Sequence, residues 1–573
     1  MYIITSWYNN LLRLLILYFN LFEIIVYSNT VYNIPPYERH ALYDLYNTTN
    51  GDYWIYQEGN QGLWDFTDPN VNPCLPNNTW QGLNCTIITS TTTSSDSYYY
   101  VLAIRLSNYN LHGYIPYSIG SLNELKYLNL SYNHITYIQN NIYNLKNLLE
   151  LDLSFNSIFG KLSNDIRNLT SLRILDFGVN RLTGTLPNGI AELYLITYVN
   201  LVYNDISGTI PSSLSNLTHL SVLNLSSNKL NGTIPHSLGD LSLLEFLNLG
   251  YNHLSGTIPS SLSKLRYLYH LHLGTNQLKG SLPHWIGDLS ILTFLSLSLN
   301  QLSSTIPSSL CNLVLMKEIY LNNNILDGSI PNLFNVLSQL SIIEFNYNYF
   351  TGTLPNSISQ LRFLNNLFLQ NNYLSGNLDN VFNGSFQKQL NNIQLSNNQF
   401  TGTLPEQIFL SHSIVTFLAV ENCFHGSIPS SICNNTNLVT LALDGLVCAS
   451  TCRNKLIPSI SNAYISDHKF TGGIPTCLWS MPTLQVLHLS GNSLTGSLPN
   501  NVKLTDSLVD LSLSYNLLTG SIPSIIQERE WDNLDLSHNR ISGILRSNYT
   551  RQSVNASVSL RNNRLSGTIP NHL

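Results

Sequence analysis

Asp152 and Asp176 hold the same place in two successive copies of a short motif, and Glu150 stands two residues before the first. Carboxylates about 5 Å apart on one face could hold a cation. Facing each other across a cleft, with one kept protonated, such a pair could cleave a glycosidic bond. The motif sets them side by side on an open sheet, so the expectation is a solvated acidic patch with no metal. Cys448 and Cys452 form C-x3-C, a weak zinc signal. No phosphate loop, G-x-S-x-G, H-E-x-x-H or kinase signature set occurs, and the 15 histidines are scattered. No catalytic residue and no cofactor is expected, and the chain is not read as an enzyme.

Aromatic residues carry more information. They are counted here back from the Asn that closes each copy of L-x-L-x-x-N. Tyr132, Phe155, Tyr203, Tyr251 and Tyr347 stand one residue before it. Tyr127, Tyr198, Phe246, His270 and Phe294 stand six before, and His272 and Tyr320 four before. All are read as outward strand positions, which stacking would align on one concave face. Contiguous exposed aromatics mark partner sites, and Tyr gives large contact area for few torsions. The competing reading is that Tyr is abundant here, with 33 copies, and suits strands.

The element that must position these residues is a repeat. From about Leu102 to the end, L-x-x-L-x-L-x-x-N-x-L-x-G-x-I-P returns about every 24 residues, as in LSVLNLSSNKLNGTIP at Leu220–Pro235. Such a period marks a solenoid. Each L-x-L should be a short strand with its leucines inward. The Asn amide should satisfy backbone groups inside its turn and between coils. The Asn slot runs from Asn133 to Asn563, with Tyr109 in the first coil and Leu446 and His468 in two divergent coils, about 20 coils in all. At a strand spacing of about 4.8 Å the array is roughly 100 Å long. Gly184, Gly208, Gly232, Gly256 and Gly280 suit positive φ, and a Pro follows each three residues later. Ser304 replaces this Gly, Asp379 replaces the Pro, and the coils at Asn133 and Asn156 lack Gly-x-I-P.

Before the array, residues 31–97 form a cap and linker. ERHALYDLYNTTNGDYW reads as a short helix with Ala41, Leu42 and Leu45 on one face, ended by Asn50-Gly51. Cys74 and Cys85 flank Trp80 and are expected to form a disulfide. Thr86–Ser97 reads as a polar linker or loop. The L-x-G-x-I-P consensus, with the W-x-G-x-x-C cap, resembles the plant-type leucine-rich repeat proteins: receptor-like proteins, receptor-kinase ectodomains and cell-wall enzyme inhibitors. The Asn47–Trp54 run is similar to protist versions of the cap. The resemblance implies an α/β solenoid, a right-handed superhelix with a parallel concave sheet, a smaller flank sheet and an N-terminal disulfide cap.

Only 10% of residues are charged and the net charge is −6, so no basic field exists for nucleic acid. Leu11–Val26 reads as the apolar part of a signal peptide over residues 1–28, or as an uncleaved anchor. Twelve N-x-S/T sequons suit a secreted glycoprotein. The glycosylation candidates are Asn47, Asn77, Asn84, Asn168, Asn216, Asn231, Asn383, Asn434, Asn548 and Asn555. The remaining two, Asn129 and Asn224, fall on concave strands, so either they carry no glycan or a ligand binds clear of them, over about Phe246–Tyr347. Cys423, Cys433, Cys448, Cys452 and Cys477 cluster in the divergent coils, with pairing left open and a second contact site possible there, while Cys311 stands alone. The last coil stops without a cap, so a membrane link requires the uncleaved anchor or a segment beyond Leu573. The reading is an extracellular module, secreted or at the cell surface, that binds a protein, peptide or polysaccharide, with a co-receptor in the receptor case. The alternatives are a secreted inhibitor of an extracellular hydrolase and a structural or adhesive surface protein.

Overall fold

The structure, a computed structural model, describes residues 33–58, 62–68, 71–75, 79–89, 97–332, 334–445, 469–547, 550 and 556–570. The signal segment, Cys448, Cys452, Asn77, Asn548 and Asn555 lie outside them. No helix among the described residues is long and apolar enough to cross a membrane.

Twenty strands form one sheet, with Leu83–Thr89 antiparallel at its N-terminal edge and the others parallel. Most parallel strands are three residues long and bury only the middle one, as in Phe246–Asn248 and His270–His272. The L-x-L leucines therefore face inward, as the alternation predicts. A five-residue 3-10 turn follows the Pro of most coils, for example Ser260–Lys264 after Pro259, and closes the convex side. Pro fits there because the first turn has no use for its missing N–H. The flank sheet is present in segments, the longest of six strands.

The Asn of each coil stitches two coils together. Asn252 Oδ1 accepts from the Leu230 N–H of the preceding coil, and its Nδ2 donates to the carbonyls of Leu225, Leu249 and Gly250. Directly before it, Tyr251 takes a left-handed φ of 55° and donates its N–H to Gly274 of the next coil. The same left-handed residue recurs from Asn108 to Asn562. At the flank turn Gly256 has φ 80°, and Ser304, in the equivalent place, adopts 71° without being Gly. The coil at Asn156 lacks the full Gly-x-I-P but keeps the turn through Gly160 at φ 99°.

Two sequence expectations change. Thr86–Thr89 is not linker but the end of the strand Leu83–Thr89, held against Ser97–Arg105 with Ile87 opposite Tyr99 and Ile88 opposite Tyr98. Thr and Ile favour strand when a partner edge is available. The Leu446 and His468 slots lie outside the described residues, but the two coils expected there supply one strand to the sheet and not two, because Thr440–Ala442 pairs directly with Val486–His488. Asn492 Nδ2 reaches Leu443 O across 49 residues, where Asn252 reaches Leu225 O across 27. One coil thus carries an excess of 22 residues between its strand and its flank strand Phe470–Gly472.

The cap covers the first coil with the helix Pro36–Thr48, which buries Glu38 beside Ala41, Leu42 and Leu45. Trp54, Trp64, Phe66 and Trp80 pack edge to face beneath it, and Cys74 is bonded to Cys85 as expected. Glu38 Oε2 accepts from the Val101 N–H at 2.8 Å, while Oε1 is buried without a partner. Burial pushes this carboxyl up to about 7, against the opposing pull of the Val101 bond. A carboxyl raised in the fold holds its proton there and loses it in the unfolded chain, so stability falls as pH rises from about 4.5 to about 7. Glu38→Gln keeps the acceptor for Val101. Denaturation at pH 5 and pH 8 should show a smaller pH loss in the variant and a gain over wild type at pH 8 of up to about 3 kcal/mol. Equal losses in both proteins would contradict the assignment.

Candidate functional site

Sheet register decides which of the expected residues meet. Phe246, His270 and Phe294 are direct partners on adjacent strands. Their rings stack at 4.2 and 4.1 Å, tilted by 10° and 9°. On the third strand position His272 lies 5.9 Å and Tyr320 5.4 Å from Phe294, and Tyr251, from the turn after its strand, lies 5.8 Å from His272. These six rings make one continuous patch over four coils. Tyr269, not singled out from sequence, borders Phe246 at 6.5 Å.

The other expected residues lie apart from it. The side chains one residue before each Asn are not on strands, since Tyr132, Phe155, Tyr203, Tyr251 and Tyr347 all occupy the left-handed turn at the sheet edge. Tyr132 and Phe155 stack there as a separate pair at 4.2 Å. Tyr203 and Tyr347 are exposed and touch no other ring of the patch. On the sheet, Tyr127 lies under the Arg105 guanidinium at 4.8 Å. Tyr198 donates to Asp176 at 3.3 Å. Alternation suggests outward strand residues in every case, but only like residues on neighbouring strands join.

Burial lowers the His270 imidazole to about 3, helped by nearby His272, and lowers His272 to about 4. Both are therefore neutral aromatic rings at ordinary pH. The Gly274 N–H donates to His272 Nδ1 at 3.2 Å, which leaves the proton on Nε2 as an outward donor. Tyr320 donates to Glu318 Oε2 at 2.9 Å. Burial raises Glu344, with Glu318 adding to the effect. Arg105 is the sole Lys or Arg on a strand of this sheet among the described residues.

The acidic group is half-buried rather than solvated. Asp152 accepts from Asn129 Nδ2 and from the Ser154 N–H and hydroxyl, and Asp176 accepts from Asn200, the Gly178 N–H and Tyr198. Burial raises Asp152, and burial with the neighbouring Asp152 raises Asp176 to about 7. No group of three His, Cys, Asp or Glu among the described residues is arranged to hold a metal ion. A second polar cluster was missed from sequence. His488 Nε2 lies 2.8 Å from Asp510 and its Nδ1 3.8 Å from Asp444. Burial carries Asp444 up to about 6 against the pull of His488. The signal was there, since His488 and Asp510 occupy outward positions of successive strands.

Asn47, Asn84, Asn168, Asn216, Asn231, Asn383 and Asn434 are exposed, whereas Asn129 and Asn224 are half-buried in the concave sheet. The Asn129 amide nitrogen is already bonded to Asp152. Cys433 is bonded to Cys477, Cys423 is also in a disulfide, and Cys311 is a free thiol.

A family model described as leucine-rich repeat region matches residues 83–231. A second, described as leucine rich repeat, matches 243–265, 292–313, 483–504 and 507–528. No curated protein matches. Among solved structures, the ectodomain of the Arabidopsis receptor kinase HAESA with an N-terminally extended IDA peptide hormone is similar at 30% identity, covering 87% of this chain and 82% of that one, with a TM-score of 0.71. HAESA with IDA and the co-receptor SERK1 is similar at 29% identity, with 88% and 83% covered and a TM-score of 0.71. The plant peptide hormone receptor RGFR1 in complex with RGF2 is similar at 28% identity, with 86% and 80% covered and a TM-score of 0.71.

The stacking predicts a direct spectroscopic result. Nitrogen-15 NMR of labelled histidine should show His270 and His272 not titrating between pH 5 and 8. Phe294→Ala uncovers one face of His270 and should raise its midpoint toward the ordinary value near 6.5. A wild-type midpoint already near 6.5 would show that the rings are not buried in this stack.

Proposed function

Because this chain belongs to the leucine-rich repeat family, we propose that it is an extracellular recognition module whose concave face binds a peptide or the exposed segment of a protein. The observation that carries this reading is the continuous ring patch of Phe246, Tyr251, His270, His272, Phe294 and Tyr320. Rings stacked on one another are already ordered, so a ligand that covers them gains contact area at little entropic cost. The solved relatives bound to peptide hormones support a peptide as the ligand class.

Electrostatics narrow the ligand further. At the C-terminal edge of the patch and beyond it the outward strand residues include Glu318, Glu344, Asp510 and Asp535. A ligand lying along this sheet is therefore neutral or basic, with apolar or aromatic side chains over the rings and any cationic group toward the C-terminal coils. Asn224 lies one strand before Phe246, so a glycan there would border the patch without covering its centre. The solved complex with SERK1 supports a co-receptor as a further partner in a receptor setting.

Screening a library of synthetic secreted peptides by calorimetry tests this reading. Phe294→Ala or Tyr251→Ala should weaken a bound peptide at least about tenfold, because central aromatic anchors carry such losses, whereas Tyr203→Ala should not. Affinity should stay flat from pH 5.5 to 8, because His270 and His272 titrate near 3 and 4. Unchanged binding in Phe294→Ala would remove the patch as the site, and a steep change near pH 6.5 would contradict neutral rings.

A further inference from the structure

On the rim where each concave strand turns toward the flank, the coils closed by Asn324 through Asn422 leave a shallow groove of about 630 Å³. Its floor is the buried ladder of Asn324, Asn348 and Asn372, whose amides are occupied by backbone. One wall is the left-handed row of Tyr347, Asn371, Asn397 and Glu421 in successive coils. The other is Tyr349 and Tyr373, whose rings lie 6.1 Å apart and within 17° of parallel. All three tyrosines are about half exposed, at 50%, 49% and 49%. Their hydroxyls, and the amides of Asn371 and Asn397, have no hydrogen-bond partner among the described residues. No Lys or Arg lines the groove.

We propose that this groove binds a neutral, β-linked polysaccharide laid along the array, one sugar unit per coil. The site goes beyond the concave-face reading and does not depend on it. A pyranose has an apolar C–H face and a rim of hydroxyls that both donate and accept. Tyrosine carbon suits the first, and side-chain amides and phenols suit the second. The walls repeat once per coil, and on the tyrosine wall successive rings stand 6.1 Å apart, so each ring can face its own unit of an extended β-linked chain. The absence of cations removes the means to hold a phosphate or uronate, and the single carboxylate, Glu421, can accept from sugar hydroxyls.

The test uses the whole chain with cellohexaose, and a high-mannose oligosaccharide as the other arm, read by saturation-transfer NMR and calorimetry. Cellohexaose should bind wild type saturably. Tyr349→Ala combined with Tyr373→Ala should weaken it at least about tenfold, the loss expected from two stacking contacts. Phe294→Ala should leave it unchanged, which separates this site from the concave patch. Should the double tyrosine variant fail to fold, Asn397→Ala replaces it, with the expected loss smaller but measurable. Absence of saturable cellohexaose binding to wild type would overturn the proposal. So would unchanged affinity in the rim variant that folds, equal loss in Phe294→Ala, or preference for the high-mannose arm.

Discussion

One side-chain amide per coil makes the rest of the structure possible. A solenoid turn must break away from its strand while its backbone is buried between two neighbours, and each unpaired N–H or C=O there is costly. Asn180, Asn252 and Asn348 solve this identically, with the oxygen taking an N–H of the preceding coil and the nitrogen shared among carbonyls of both coils. Asp would lack the donor, Ser the reach, and Gln would be too long for the same turn. In the first coil Tyr109 fills the slot, and its hydroxyl donates to Gln81 of the cap. The cap therefore takes over the role that a preceding coil would have played.

The turn that the amide stabilises has its own consequence for the surface. The residue before it is forced left-handed, which costs a non-glycine residue of order 1 kcal/mol. The chain accepts this with Tyr, Val, Thr and Leu as well as Asn. Each of those side chains is thereby aimed at the rim instead of the sheet. The protein thus presents two sets of rows in the same period, one on the concave strands and one along the edge. Chemistry emerges wherever neighbours in a row are alike: aromatic from Phe246 to Phe294, acidic from Glu150 to Asp176, phenol and amide from Tyr347 to Asn397.

This division explains what could be read in advance. Leucine burial is decided within a few residues, so strands, coil period and the inward Asn were legible, and so was the Cys74–Cys85 bond beside Trp80. The rim row was not, because a left-handed dihedral leaves no mark in the hydropathy pattern and Tyr251 looks like one more outward strand residue. The single long coil was also hidden. The segment ending in Phe470–Gly472 has the second half of a repeat, and only the pairing of Thr440–Ala442 with Val486–His488 shows that no further strand stands between those two in the sheet. Contiguity was the third limit. Tyr127 and Tyr198 match the pattern as well as Phe246 does, but their strand neighbours are Glu150, Ile174 and Val222 rather than rings.

Coils joined only to their neighbours also have a mechanical character. Tension applied along the array would act on one interface at a time, beginning at the end with the fewest partners, and each coil freed would release about 80 Å of chain from 24 residues. The Cys433–Cys477 bond interrupts that series, because the chain between its ends, a separation of 44 positions, cannot be drawn out while it is intact. It turns a uniform ribbon into two extensible stretches separated by a stop, and His488, on the strand just beyond the stop, reaches back to Asp444 within it and on to Asp510 past it.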